Sequence, residues 1–166
     1  MSPQTVIIRY LDHARIMQLA TASNGKPWCA SLFFAHDNEH NLYWISQADT
    51  RHSKEIEQNS HVAGAIVLPQ SYGDAVHGLQ FEGTARMVAE PDEIRSLAQA
   101  YAERYNMGNL AESILSGANK YKLYQIKPTQ FILFDVSTFP EEPRQVWHLS
   151  ETSYNKSKDK PEQQDE

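Results

Sequence analysis

Hydroxyl and basic side chains are concentrated in one short stretch of this sequence. They belong to Ser46, Thr50, Arg51, His52, Ser53 and Lys54. Hydroxyls, cationic side chains and the free amides at the start of a helix can each donate a hydrogen bond to a phosphate oxygen. Their clustering therefore predicts a site for a phosphate dianion. A plainer interpretation is also open for Arg51, since most exposed arginines only form surface ion pairs.

The flanking sequence predicts a strand that turns into a helix at this point. Residues 42–46 are predicted to form a strand, with Leu42, Trp44 and Ser46 on one face and Tyr43 and Ile45 on the other. Thr50 or Ser53 can cap the short helix that is predicted at residues 54–59. Because the strand and the helix are so close in sequence, the chain must turn a corner between them. The predicted anion site lies at this corner.

The rest of the sequence predicts a mainly β protein with a few helices. Ser2 before Pro3 is a helix-start signal, and Asn24-Gly25 predicts a tight hairpin. The other predicted strands span residues 16–23, 26–35, 62–68, 77–89, 121–126 and 130–136, and the other predicted helices span residues 3–13, 91–107 and 110–116. The 62–68 strand is apolar on both faces, as expected for an interior strand. Together these elements predict a small closed antiparallel barrel of the α+β type.

Length, charge and cysteine content limit the possible classes of protein. A chain of 166 residues can form one domain with a substantial core. We expect that domain at residues 1–149, followed by a polar, disordered tail at residues 150–166. A net charge of −6 argues against nucleic-acid binding, and no apolar run is long enough to span a membrane. One cysteine and no signal-peptide pattern predict a cytoplasmic location.

No group of side chains has the spacing of a catalytic or metal site. Cys29 has no histidine at catalytic spacing, and we expect it to be a small buried side chain. Ser31 and Ser46 lack the context of a hydrolase triad. The seven histidines show no metal-ligand spacing. Four aromatic residues are expected either to fill the barrel or to stack on a ligand ring: Trp28, Phe33, Trp44 and Tyr72.

Three motifs in a fixed order resemble a known family. ATASNGKPWCASLFF, LYWISQADTRHSKEI and GLQFEGTARMV are similar to the FMN-binding split barrel of the pyridoxamine 5'-phosphate oxidase-like superfamily, and within it to the YhbP-like group. The resemblance covers residues 16–88, and a terminal strand at residues 121–134 fits the same scheme. It implies a split antiparallel β-barrel, bound FMN and a homodimer with both flavins at the subunit interface.

The resemblance also implies roles for individual positions. The backbone of the second strand holds the edge of the flavin ring, and here that segment consists of Trp28, Cys29, Ala30, Ser31 and Leu32. A strand-end hydroxyl contacts the flavin, which here is Ser46 beside Ile45. A Ser/Thr-Arg-Lys triplet holds the phosphate, and this chain has Thr50, Arg51 and His52 at those positions.

Later parts of the chain complete the implied site. Gln80 matches a glutamine that approaches the flavin ring, and Trp147 with His148 can complete the site of the partner subunit. His52 stands where the family pattern has lysine, and a neutral histidine carries no charge at pH 7. Lys54 is therefore the candidate for a second cation.

The leading functional hypothesis is an FMN-dependent oxidoreductase that acts as a homodimer on a small-molecule substrate or electron donor. Pyridoxamine 5'-phosphate oxidase activity itself is not expected, since Arg144 alone does not recreate the arginine segment that holds that substrate's phosphate. No side chain is assigned as a general acid or base. Two alternatives stay open: a flavin carrier or haem-binding protein, with His148 or His77 as the axial ligand, and a dimer that binds no cofactor.

Overall fold

One curved antiparallel sheet forms most of the structure, a computed structural model that describes residues 1–149. The tail expected at residues 150–166 lies outside the described residues. The elements are α1 (Pro3–His13), β1 (Ile16–Ser23), β2 (Lys26–Phe33), β3 (Ala35–His36), β4 (Leu42–Gln47), α2 (Arg51–Gln58), β5 (His61–Ile66), β6 (His77–Met87), α3 (Pro91–Tyr105), α4 (Leu110–Leu115), β7 (Tyr121–Asp135) and β8 (Arg144–His148).

The strand order makes the sheet a split barrel. It runs β2-β1-β5-β6-β7-β4-β3, with β8 paired to β7, and every pairing is antiparallel. The tight hairpin is confirmed, because Asn24 and Gly25 have φ angles of 51° and 71°, as its turn requires. The predicted fold class, a small antiparallel split β-barrel with a few peripheral helices, is confirmed. The expectation that the barrel is closed was wrong, because the described sheet ends at β2 and β3, which do not pair with each other.

The core has two parts on opposite sides of the strands. Helix α1 begins at Pro3, capped by the hydroxyl of Ser2, and its buried face fills the inside of the barrel with side chains that include Ile7 and Leu11. A second cluster joins α3 and α4 to β4 and β7, with Ala98 at its centre. Among the described residues, no helix combines the length and the apolar character needed to cross a membrane.

Strand β7 was predicted as two strands joined at residues 127–129, and this prediction was wrong. The fifteen residues Tyr121–Asp135 form one strand, which pairs with β6 from Tyr124 to Asp135. Its register shifts between Glu82 and Gly83, where a Cβ atom on Gly83 would lie 2.2 Å from the carbonyl oxygen of Lys127. A bulge at glycine therefore lets the strand continue through Pro128.

Several other boundaries also differ from the prediction. Helix α2 starts at Arg51 rather than at residue 54, so the basic residues lie inside its first turn. Strand β5 is His61–Ile66, and Ala63 is exposed on its outer face, so this strand is not buried on both sides. Helix α3 ends at Tyr105, because Asn106 takes a left-handed conformation with φ of 53°.

Candidate functional site

The predicted corner between strand and helix is present at the junction of β4 and α2. Thr50 is the N-cap residue of α2, but its side chain makes no capping hydrogen bond. Its hydroxyl donates to the carbonyl of Gln47 at 3.0 Å and also lies 2.8 Å from the hydroxyl of Ser53. The amides in the first turn of α2 therefore receive no side-chain cap, and such amides bind anions well.

His52 points into the protein from this corner. Its Nε2 lies 2.8 Å from Ser46 Oγ and 3.1 Å from Thr50 Oγ1. Both His52 and Ser46 are buried. Burial lowers the pKa of His52 below its ordinary value of 6.5, which favours the neutral ring. In this arrangement His52 organises the turn and carries no positive charge towards solvent.

Arg51 points the other way and is held by three contacts, one within α2 and two with β2. Its Nε donates to Glu55 Oε1 at 2.7 Å, and its Nη2 donates to the carbonyl of Pro27 at 3.4 Å. Its guanidinium carbon lies 4.4 Å from the centre of the Trp28 ring, a cation–π contact. The side chain keeps 45% of its surface exposed. Arg51 is thus both fixed in direction and accessible.

Glu55 is the residue of this site that sequence reasoning missed. Its carboxylate is buried, and its Oε2 accepts from Thr21 Oγ1 at 2.6 Å. The hydrogen bond from Thr21, followed by that from Arg51, lowers the pKa of Glu55 below its ordinary value of 4.5. The available signal was the i, i+4 spacing between Arg51 and Glu55. It was overlooked because the helix was predicted to start only at residue 54.

Lys54 is the second cation of the corner. It is exposed on α2, three residues after Arg51, so both side chains project from the same face of the helix. Because His52 is turned inward, Arg51 and Lys54 are the two basic side chains that this corner presents to solvent.

The segment from Trp28 to Leu32 lies on β2, at the edge of the sheet. Among the described residues β2 pairs only with β1, so its other edge leaves alternate backbone groups available to a ligand. The expectation that Cys29 is buried was wrong: Cys29 is exposed, because an edge strand at the mouth of the barrel has little to cover it. Ser31 donates to Gln18 Oε1 at 2.8 Å, while Ala30 and Leu32 are partly buried.

Gln80 lies on the outer face of β6, away from the corner. It lines a groove of about 370 Å³ together with Val67, Phe134 and Arg144. Strands β1 and β5 stand between β2 and β6, which separates Gln80 from β2 by about 14 Å along the sheet. Within one chain the structure therefore does not bring Gln80 to the corner.

The late residues of the predicted site also lie elsewhere. Trp147 on β8 packs against Phe131, with ring centres 6.2 Å apart, and against His40 at 4.8 Å. His148 is exposed on the same strand, and Nδ1 of His77 is hydrogen-bonded to the hydroxyl of Tyr10. In the described part of the chain, no group of three or more potential metal ligands comes together.

The four aromatic residues considered as ring-stacking partners have different surroundings. Trp44 is fully buried and stacks on Tyr124, with ring centres 5.1 Å apart, so it belongs to the core. Arg51 already lies over the ring of Trp28. Phe33 and Tyr72 are exposed, with Phe33 edge-on to Tyr105. Ile45, beside Ser46, is partly buried against the cluster beneath α3.

The strand order and the corner at the start of α2 define a split β-barrel protein. Residues 7–135 match the family model for pyridoxamine 5'-phosphate oxidase, and the chain belongs to this family. The resemblance noted from the three sequence motifs is thereby confirmed at the level of the superfamily.

One relative is similar to this chain in sequence, and two solved structures share its fold. The chain is 30% identical over 91 residues to a UPF0306 protein from Photorhabdus laumondii, and the match covers 54% of this chain and 64% of that relative, just under two thirds of its length. General Stress Protein 26 from Bacillus anthracis superposes with a TM-score of 0.64 at 19% identity, covering 90% of this chain and all of that one. HutZ, the heme storage protein from Vibrio cholerae, superposes with a TM-score of 0.65 at 23% identity, covering 81% and 95%.

Proposed function

We propose that this chain is an FMN-binding flavoprotein, an oxidoreductase that acts on a small-molecule substrate or electron donor. The observation that carries the proposal is the corner at the start of α2, in a chain whose family match spans that corner. There, a helix start without a side-chain cap lies beside the exposed cations Arg51 and Lys54. This set of donors fits a phosphate group.

The residues expected at the FMN site have different roles in this proposal. Arg51 and Lys54 hold the phosphate in this proposal, together with the first-turn amides of α2. Ser46 and His52 are hydrogen-bonded to each other, so their role is to shape the turn. The edge of β2 supplies backbone groups to the flavin ring from Trp28, Cys29, Ala30, Ser31 and Leu32.

A bound flavin supplies hydride or electron transfer. The protein's contribution is to bind the phosphate, to orient the ring against β2 and to leave space for a substrate beside it. In this proposal the protein is cytoplasmic, which the single cysteine supports.

We also propose that the protein is a homodimer. The outer face of the sheet carries exposed apolar side chains, and this outer apolar patch consists of Val67, Val76, Phe134 and Val146. A contiguous patch of this kind favours association with another protein surface. The same face carries Gln80, so a partner subunit offers a route by which Gln80 contributes to a flavin site, although it is distant from the corner of its own chain.

Titration of the purified protein with FMN and with riboflavin tests the proposal, because the two ligands differ only in the phosphate. We expect FMN to bind at least about tenfold more tightly. Lys54→Ala is expected to weaken FMN binding several-fold and to leave riboflavin binding unchanged. The matched control is Lys120→Ala, which removes an exposed lysine before β7.

Three results contradict the proposal. If FMN and riboflavin bind with equal affinity, the assignment of a phosphate site is wrong. If neither ligand binds, the assignment as a flavoprotein is wrong. An intense Soret band in the purified protein favours the haem alternative, and substitution of His148 or His77 then identifies the axial ligand.

A further inference from the structure

The guanidinium of Arg51 is fixed before any ligand binds. Its Nε donates a hydrogen bond to Glu55, and its Nη2 donates a hydrogen bond to the carbonyl of Pro27. The flat face of the guanidinium lies over the ring of Trp28. Its Nη1 has no hydrogen-bond partner among the residues that the structure describes. The guanidinium thus has one occupied edge and one edge open to solvent, and the open edge is the one that can bind an anion.

Glu55 is the central member of this arrangement. It is buried, and each of its carboxylate oxygens has its own partner: Oε1 accepts from Arg51 and Oε2 accepts from Thr21. A buried carboxylate is tolerated only when its oxygens are hydrogen-bonded or paired with a cation, and Glu55 has both. Since Thr21 lies on β1 and Arg51 on α2, the carboxylate ties the helix start to the sheet.

We propose that Glu55 is the positioning residue of the anion site: it fixes the direction of the Arg51 side chain so that the free edge of the guanidinium faces the ligand phosphate. This inference rests on the proposed FMN site. Arginine has many rotamers, and fixing one of them before binding reduces the entropy lost when the phosphate arrives. Thr21 acts indirectly, because its hydrogen bond orients the Glu55 carboxylate, which in turn holds Arg51.

Two substitutions at Glu55 distinguish whether it acts through the hydrogen bonds that hold Arg51 or through its negative charge. Glu55→Ala removes the tether, so Arg51 becomes free to move. Glu55→Gln keeps an oxygen that can accept from Arg51 Nε, and its amide can donate to Thr21 Oγ1. If Glu55 acts by position, glutamine therefore preserves its role and alanine does not.

The experiment measures dissociation constants for FMN and riboflavin by quenching of flavin fluorescence, with thermal unfolding recorded for each variant. For Glu55→Ala we expect FMN affinity to fall about tenfold, with riboflavin affinity unchanged. Glu55→Gln is expected to stay within about threefold of the parent protein for both ligands. Thr21→Val, which keeps the shape of the side chain, is expected to give an intermediate loss for FMN. The matched control is Glu57→Ala, an exposed glutamate on the same helix.

The possible outcomes distinguish a failure of the positioning role of Glu55 from a failure of the proposed FMN site. If the parent protein prefers FMN over riboflavin and both Glu55→Ala and Thr21→Val keep that preference, the positioning role is wrong and the FMN site stands. If Glu55→Gln loses as much as Glu55→Ala, the charge of Glu55 matters rather than its position, and the inference is overturned. If the parent protein binds no FMN, both are overturned. Should Glu55→Ala fail to fold, Thr21→Val and Glu55→Gln decide the question.

Discussion

The guanidinium carbon of Arg51 lies 4.4 Å from the ring centre of Trp28. The first residue of α2 therefore reaches across the mouth of the barrel to the edge strand β2. This contact joins the proposed phosphate end of the site, on α2, to the proposed ring end, on β2. An arginine stacked on an indole ring keeps its outer edge available for hydrogen bonds, because the stacking uses only the flat face.

Replacing Arg51 is expected to weaken phosphate recognition selectively. Arg51→Ala should lower FMN affinity by about tenfold or more, since a charge-assisted hydrogen bond is lost, and should leave riboflavin affinity unchanged. Arg51→Lys should recover only part of the loss, because lysine cannot present the planar donor edge. Fluorescence titration measures both ligands.

The matched control for Arg51 is Arg95→Ala. Arg95 is an exposed arginine on α3 that forms surface ion pairs with Asp92 and Glu112. Its removal should change neither affinity. An unchanged FMN dissociation constant for Arg51→Ala contradicts the phosphate assignment.

His52 is expected to matter for stability rather than for ligand affinity. His52→Ala leaves the buried hydroxyl of Ser46 and the partly buried hydroxyl of Thr50 without their shared partner, which should lower the free energy of unfolding by about 1–3 kcal/mol. The ratio of FMN to riboflavin affinity should stay within about threefold. Urea unfolding and flavin titration test the two parts. His61→Ala, at an exposed histidine, is the control, and a selective loss of FMN binding in His52→Ala would show a direct phosphate contact.

Stability is expected to fall as the pH drops below about 6.5. Burial lowers the folded-state pKa of His52 from 6.5, and burial has the same effect on His40. Between the lowered value and 6.5 the unfolded chain binds more protons than the folded chain, so acidification favours unfolding. Urea unfolding should show a small decrease in stability between pH 7.5 and 6.5 and a larger decrease between pH 6.5 and 5.5. His52→Gln should flatten this dependence in part, and an unchanged slope would mean that His52 contributes nothing to it.

Gly83 is expected to tolerate no side chain. A Cβ atom there would lie 2.2 Å from the carbonyl oxygen of Lys127 and 2.7 Å from the Cα atom of Pro128, and both are backbone atoms that cannot move alone. Gly83→Ala should therefore cost about 1–3 kcal/mol or more of the free energy of unfolding. Gly108→Ala is the control, because nothing lies within 4 Å of its Cβ position, and its effect should be within about 0.5 kcal/mol. Equal urea midpoints for the two variants would contradict the close contact between residue 83 and the backbone of β7.

The outer apolar patch is expected to form the dimer interface. Val67→Glu places a charge within that patch, so it should shift the protein towards the monomer in sedimentation velocity experiments. Tyr72→Glu is the matched control, since Tyr72 is fully exposed in the loop before β6. A parent protein that sediments as a monomer, or a Val67→Glu variant that stays dimeric, contradicts this interface.

The sequence alone determined those features that depend on neighbouring residues. The hairpin at Asn24-Gly25 follows from the positive φ angles that these two residues accept, and the corner between β4 and α2 follows from a strand pattern that runs into a capping residue. The family resemblance was also local, since it was carried by three short motifs. For these reasons the fold class and the cluster of basic residues could be predicted.

Tertiary structure decided the features that depend on which strands are neighbours. Cys29 is exposed because β2 is at the edge of the sheet, and β7 is continuous because a glycine on β6 admits its bulge. Thr21 and Glu55 are 34 residues apart, so no periodicity in the sequence could pair them. Their pairing fixes the direction of Arg51. Residue types alone thus predict a cluster of anion-binding groups, but the direction of each group is set by long-range contacts that only the folded sheet creates.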